Sequence, residues 1–317
     1  MGLPGPPKRW PFGTRQSAEV HAQPSSEGKA MKRLGRILRP AMVMIAAVSL
    51  AAINVSSAAA VTTPVVIYNS SVQPLPGNLP SVGAEAYAFS QLGDEVTFDG
   101  TARTLNAVKV TLSSWGCEHG HWYTNDCVTT PGDKFSVPIT LNIYNASVAG
   151  PNSTVVPGSL ITTATKTFAV PYRPTANLNK CNQTNSSLGK WYSSATAKCY
   201  NGKAVNITFN YKSLGVTLPN DVVIGVAYNT SHYGYSPIGE SPACYTSDAG
   251  CPYDSLNIAL GPVVTVGSKP YPDTLFQDTT VANNLCDATP ALGVFNLDSP
   301  TSPCWTGYVP AIQVLAH

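Results

Sequence analysis

The stretch WGCEHGHWYTNDC, residues 115–127, gathers two cysteines, two histidines, two tryptophans, a tyrosine and two acids into thirteen positions. Three chemistries would use such a set. His119 and His121 stand two apart, so on a strand both imidazoles would face one side, as a metal ion requires, with Glu118 and Asp126 adding oxygen ligands. A zinc ion asks for about three or four ligands, however, and only His232 and His317 follow in the chain, while Gly116 and Gly120 indicate a loop rather than a strand. Trp115, Trp122 and Tyr123 could instead form a flat surface on which a sugar ring stacks, its hydroxyls bonding to nearby Asn or Asp. Equally, aromatic rings beside a disulfide pack on the sulfur and cover the loop's interior. On spacing alone a loop closed by Cys117 and Cys127 leads, and the sugar platform stands beside it.

Elsewhere the chemical signals are thinner. GESPA at 239–243 approaches the serine elbow of hydrolases, but the residue after the serine is Pro242, which has no N–H to complete an oxyanion hole. A glycosidase would need only two carboxylates at a set separation. Glu85, Glu95, Glu118 and Glu240 are available, and Glu240 lies in the aromatic run HYGYSPIGESPACY with Tyr233 and Tyr235, which makes it the weak catalytic candidate. Calcium is the one ion that the loops suggest: SDAGCPYDS offers Asp248 and Asp254, and PYPDTLFQDTT offers Asp273 and Asp278. Neither run follows the EF-hand pattern, and Asp in turns commonly accepts bonds from turn amides. No organic cofactor is expected.

The elements that would position these residues follow an export leader. Residues 31–60 have a basic start (Lys32, Arg33, Arg36, Arg39), an apolar stretch over 41–53 and Ala58-Ala59-Ala60 before Val61, the layout of a signal peptide. Residues 1–30 are rich in Pro, Gly and Ser without apolar periodicity, and are expected to be a disordered extension or the product of an early start codon. Residues 1–60 hold eight of the 19 Lys and Arg and two of the 17 Asp and Glu, so residues 61–317 carry a net charge of −4. That removes the basic excess expected of a nucleic-acid binder. No membrane partner is expected once the leader is gone. All eight cysteines (Cys117, Cys127, Cys181, Cys199, Cys244, Cys251, Cys286, Cys304) follow residue 60, and no CxxC occurs. An even count in an exported chain implies disulfides. Four neighbouring couples favour 117–127, 181–199, 244–251 and 286–304, among on the order of a hundred formal pairings.

Over 61–317 the recurring pattern is alternation. VKVTLSSW sets Val108, Val110 and Leu112 against Lys109 and Thr111; ITLNIYN sets Ile139, Leu141 and Ile143 against Thr140 and Asn142; VNITFNY sets Val205, Ile207, Phe209 and Tyr211 on one side. A period of two predicts half-buried strands. Further strands are expected at 65–68, 86–89, 95–98, 160–170, 222–228, 255–260, 263–266 and 308–316. Turn-formers separate them, and no apolar period of 3.6 residues persists beyond about two turns. The expected fold is all-β, one domain over 61–317: an antiparallel two-sheet sandwich of jelly-roll or Greek-key type with long disulfide-closed loops.

The runs LPGNLPSVGAEAYAFSQLGDEVTF, WGCEHGHWYTNDCVTTPG, PITLNIYN, VPYRP, YNTSHYGYSPIGESPACY and CPYDSLNIAL resemble a group of exported bacterial proteins, frequent in actinobacteria, to which no function is assigned. A more distant likeness, through the order TARTLNAVKVTLSS, ITLNIYN, PGSLITTATKTF and VTLPNDVVIGVAYN, is to extracellular sandwich domains found beside cell-surface anchors. It implies architecture, not activity.

The expectation is therefore a secreted, disulfide-stapled binding module for a glycan or envelope polymer, with Trp115, Trp122, Tyr123, Tyr233 and Tyr235 as its surface. Its rivals are an extracellular glycan hydrolase using Glu240 and a structural coat or matrix protein. A binder needs clustered aromatics, a hydrolase two carboxylates converging in a cleft, and a coat protein a long unpaired strand edge.

Overall fold

The computed structural model describes residues 63–75, 79–83, 89–120, 125–146, 148–149, 155–181, 190–228, 256–261, 263–270, 275–278, 295–297 and 307–317. These residues contain strands and no helix. The expectations for residues 1–60, Ala86, His121, Trp122, Tyr123, Tyr233, Tyr235, Glu240, Asp248, Asp254, Asp273, Cys244, Cys251, Cys286 and Cys304 lie outside the described residues.

Seventeen strands are defined: β1 (Val65–Asn69), β2 (Ser81–Gly83), β3 (Phe89–Thr97), β4 (Leu105–Ser114), β5 (Lys134–Asn145), β6 (Val148–Ala149), β7 (Val155–Val156), β8 (Leu160–Pro171), β9 (Trp191–Ser193), β10 (Lys198–Tyr200), β11 (Lys203–Asn210), β12 (Asp221–Tyr228), β13 (Leu256–Gly261), β14 (Leu275–Asp278), β15 (Phe295–Leu297), β16 (Val309–Pro310) and β17 (Ile312–Ala316). They form a seven-stranded sheet, a six-stranded sheet in the order β15-β14-β3-β12-β5-β8, and two small hairpins, β9-β10 and β6-β7. Every pairing is antiparallel.

β4 organises the seven-stranded sheet. β11 runs along one edge of it, from Lys203 opposite Ser114 to Asn210 opposite Ala107. The other edge is shared end to end by β17, with Ile312 opposite Val110, and by β13, with Ile258 opposite Leu112. At the junction Thr111 N donates to Ala311 O at 2.9 Å, and Ala311 N donates to Ala259 O at 2.8 Å. The single strand expected over 308–316 is thus broken at Ala311, because the chain passes there from β13 to β4 and β1.

The period-two pattern predicts the inward residues well where one face is wet. In β5, Phe135, Val137, Ile139, Leu141 and Ile143 are buried while Ser136 and Pro138 are exposed. Pro138 lacks an N–H for a ladder, and β12 stops opposite Ile139, one residue short of it. In β4 the expected wet face is covered as well: Thr111 is fully buried and donates to Asn206 Oδ1 at 2.8 Å, and Lys109 reaches Gln313 Oε1 at 3.0 Å. One hydrophobic cluster includes Val108, Val110, Ile207 and Phe209 from the seven-stranded sheet and Leu92, Leu141, Phe168 and Ile224 from the six-stranded one. Phe168 of β8 meets Phe209 of β11 edge-on, with ring centroids 5.1 Å apart.

Two expectations need correction. Residues 263–266 form no strand; Val266 makes only a lone bridge to Asn69. The run PYPDTLFQDTT is not simply an Asp-bearing loop, since Leu275–Asp278 pairs with β3 and sets Asp278 opposite Phe89. The pairing of Gly93 with Leu275 and of Leu92 with Phe276 gives those backbone groups partners that turn-forming composition does not reveal.

Candidate functional site

The loop at 115–133 is held from three directions. Cys117 and Cys127 are joined, with Cα atoms 5.5 Å apart, and both are buried. His119 and Val128 exchange backbone hydrogen bonds of 3.0 and 2.8 Å just inside the bridge. Gly120 has φ of +79°, and a Cβ there would collide with the backbone of Asp126, so only glycine fits this turn. Residues 172–176, from the end of the VPYRP run onward, then thread between the loop's two arms. Tyr172 N donates to Asp133 O at 3.1 Å, Arg173 N to Gly116 O at 2.8 Å and Ala176 N to Cys127 O at 2.9 Å.

Arg173 is the residue that sequence reasoning missed. It follows an apolar strand and is fully buried beneath the loop, with Nη2 donating to Cys117 Sγ at 3.3 Å and its carbonyl accepting from Thr129 Oγ1 at 2.6 Å. Lys190 is buried beside it; desolvation first, and then the Arg173 charge, hold the Lys190 ammonium below its usual range. The only hint in sequence is a lone Arg between two prolines.

Glu118 is anchored rather than free. Thr130 N donates to its Oε2 at 2.6 Å and Thr130 Oγ1 to its Oε1 at 3.4 Å, while His119 Nε2 lies 3.7 Å from Oε1. The Thr130 amide, above all, holds this carboxyl below its ordinary range. Asp133 is in hydrogen-bonding contact with it; desolvation, that hydrogen bond and the Glu118 charge together push the Asp133 carboxyl up. Tyr172, tilted against Phe135 at 5.0 Å, has its phenol raised by burial and by both carboxylates. This is an acid pair split in proton affinity. Its members touch, however, whereas glycoside hydrolysis needs carboxyls about 5 Å or more apart.

His119, with 69% of its side chain exposed, points to solvent and has Glu118 as its nearest acid. Among the described residues no group of three His, Cys, Asp or Glu could hold a metal ion. Asp126 is exposed, with its backbone and Oδ1 set against Gly120. Trp115 is half-buried and lies against Gly202, where a Cβ would come within 2.9 Å of its Nε1.

A second knot adjoins the first. Cys181 and Cys199 are joined, Cα atoms 5.7 Å apart, and fasten the β9-β10 hairpin. Trp191 is buried, donates from Nε1 to Gly202 O at 3.2 Å, and stacks at a tilt on Tyr200 at 5.2 Å. Lys203 lies over Trp191 at 5.2 Å, and Lys180 lies over the half-exposed Tyr192 at 4.2 Å. The tryptophans described here thus divide between a buried one that packs the hairpin and a half-buried one beside the disulfide loop. Two of the four expected couples, 117–127 and 181–199, are bonded; the cysteines of the other two lie outside the described residues. Disulfides of this kind belong to proteins outside the reducing cytoplasm. Searched against protein-family models, curated proteins and solved structures, the chain finds no match.

Proposed function

We propose that this protein is exported, loses residues 1–60, and serves as a non-catalytic binding module for a glycan or envelope polymer, built as a two-sheet sandwich of jelly-roll or Greek-key type. The sandwich is supported by the hydrophobic cluster common to both large sheets. Binding is supported by the anchoring of the loop's described arms, 115–120 and 125–133, which a disulfide, a left-handed glycine and a buried arginine hold. Anchored arms lower the ordering cost of a loop that binds. Trp115, Trp122 and Tyr123 are the proposed contact residues on it, with Tyr233 and Tyr235 from the second aromatic run. The hydrolase alternative, through Glu240, draws no support from Glu118, whose two carboxylate oxygens are engaged by the Thr130 amide and hydroxyl. The coat-protein alternative is opposed by Lys166, which sits in the middle of the terminal strand β8, where a charge blocks edge-to-edge pairing.

A glycan array probed with the protein and with Trp122→Ala tests the reading. Signal on one glycan class that falls about ten-fold in the variant, a loss of about 1.4 kcal/mol, is expected. Equal signal from both proteins would remove this loop from the binding surface.

A further inference from the structure

Each large sheet ends in a long strand, and the two ends are guarded differently. β8 closes one side of the six-stranded sheet, β11 has β4 as its only strand partner among the described residues, and Phe168 and Phe209 bring β8 and β11 together. β8 carries Lys166 at its middle, with the ammonium over the Phe168 ring at 4.9 Å. A charge so placed keeps another strand from pairing. Residues 204–210 of β11, AVNITFN, hold no charge and no proline, and they run opposite β4 residue for residue.

Backbone hydrogen bonds fix which way the groups of β11 point. Tyr211 N donates to Asn106 O at 2.8 Å, and Asn210 stands opposite Ala107. In an antiparallel ladder, residues that bond their opposite number with both N–H and C=O alternate with residues whose groups point the other way. Val205, Ile207, Phe209 and Tyr211 therefore turn their backbone to β4, and Ala204, Asn206, Thr208 and Asn210 turn theirs away from it. Thr111 N donates to Ala311 O across the other side of β4, which agrees with this phase. The outward row is accessible, since Asn210 is exposed and Ala204, Asn206 and Thr208 are half-exposed.

We infer that β11 pairs antiparallel with β11 of a second copy of this chain, about a twofold axis at Ile207, and joins two seven-stranded sheets into one. The inference stands independently of the glycan-binding reading. Its occupant follows from the strand, which complements its own copy. With Ile207 on the axis, residues 204–210 overlap in full: Asn206 faces the second copy's Thr208, and Ala204 faces its Asn210. Every outward residue then meets an outward residue, and about eight hydrogen bonds form between the copies. On the other face Ile207 meets its own equivalent and Val205 meets the second copy's Phe209, pairs of β-branched and aromatic side chains that pack well across strands. Lys203 falls opposite the second copy's Tyr211, so like charges do not oppose. A slip of one residue would set outward groups against inward ones and lose the ladder. A twofold contact closes at two copies, and Lys166 keeps β8 from extending it. Lys203 lies opposite Ser114, at the base of the 115–133 loop. The dimer thus displays two such loops, their bases about 26 Å apart along the paired strands at the usual strand rise.

The test is sedimentation velocity of the full chain between about 1 and about 100 µM, with amide hydrogen exchange measured at both ends of that range. A monomer–dimer equilibrium is expected. Exchange at the Asn206 and Thr208 amides should slow about ten-fold at the higher concentration, while the Ile207 and Phe209 amides, bonded to β4, exchange slowly at both. Thr208→Pro removes one outward N–H and spares the ladder to β4, because proline is accepted where a strand's N–H faces away from its sheet. It should raise the dimer dissociation constant about ten-fold or more. Thr208→Val keeps the N–H and should dimerise like the parent. A parent that stays monomeric at the highest concentration overturns the inference, as does a dimer that Thr208→Pro leaves as tight or that Thr208→Val abolishes. Species larger than a dimer would overturn it too, because a twofold edge contact cannot grow. So would outward amides that exchange slowly in a monomer at both concentrations, which would mean that this chain covers its own edge. The exchange arm uses the unaltered protein, so it decides the matter even where Thr208→Pro fails to fold.

Discussion

Arg173 and the Glu118–Asp133 pair show what individual side chains do in this protein. A fully buried guanidinium is costly unless its surroundings accept its hydrogen bonds; here Nη2 donates to the Cys117 sulfur, while the residue's own N–H and carbonyl bond Gly116 O and Thr129 Oγ1 of the loop. Its function is to hold the loop at 115–133 from below. The acid pair lies at the loop's outer arm and makes stability depend on pH. Asp133 has a raised folded-state affinity for its proton, so its ionisation costs stability as pH rises past its ordinary range. Glu118 has the opposite sign: its depressed value contributes stability above the ordinary carboxylate range, which is lost as pH falls through the folded value. Asp133→Asn keeps a hydrogen-bond donor for Glu118 and removes the like charge. Its melting temperature should exceed the parent's at about pH 7, and the gap should narrow as pH falls and the Asp133 carboxyl of the parent takes up its proton. A constant gap as pH falls would mean that the two carboxyls do not share the coupling described.

At the scale of elements, the described arms of the loop between β4 and β5 are held by covalent and backbone constraints together. The Cys117–Cys127 ring is short, ten residues in separation. Cys117→Ser/Cys127→Ser should cost about 3 kcal/mol by the loop-closure entropy restored to the unfolded chain, read as a shift in the urea midpoint. Gly120→Ala should cost about 1–2 kcal/mol, the penalty of a left-handed alanine, and more if Asp126 cannot move away. A double-cysteine variant as stable as the parent would show that residues 172–176 alone secure the loop. The hairpin β9-β10 has the same design, with a disulfide at its base and Trp191 packed within, and neither strand shows alternation long enough to be read in sequence.

For the whole molecule, the shared hydrophobic cluster and the segregated charge are the organising features. If the two large sheets depend on a common core, Phe168 and Phe209 must be energetically coupled. A double-mutant cycle of Phe168→Ala and Phe209→Ala should return a coupling of about 1 kcal/mol, the value of an edge-on ring pair beyond its buried area. Additive losses would place the two rings in separate cores. Charge acts on a longer range. Acids are absent from residues 134–220, which are locally basic although residues 61–317 as a whole carry a net −4. Net charge alone hid this, because a sum over residues discards their position.

Read by itself, the sequence determined the all-β class, most of the strands and two disulfide couples. β5 was legible because alternation is a local property and β12 because it is a short apolar run between turn-formers, and cysteines ten or eighteen residues apart have few nearer partners. Tertiary structure alone decided the rest. It broke the last strand at Ala311, buried Thr111 on a face that alternation marks as wet, and made a strand of Leu275–Asp278. It also drew Arg173, Glu118 and Asp133 to one loop from positions 118 to 173. Each of those outcomes depends on contacts between residues far apart in the chain, and no local periodicity encodes them.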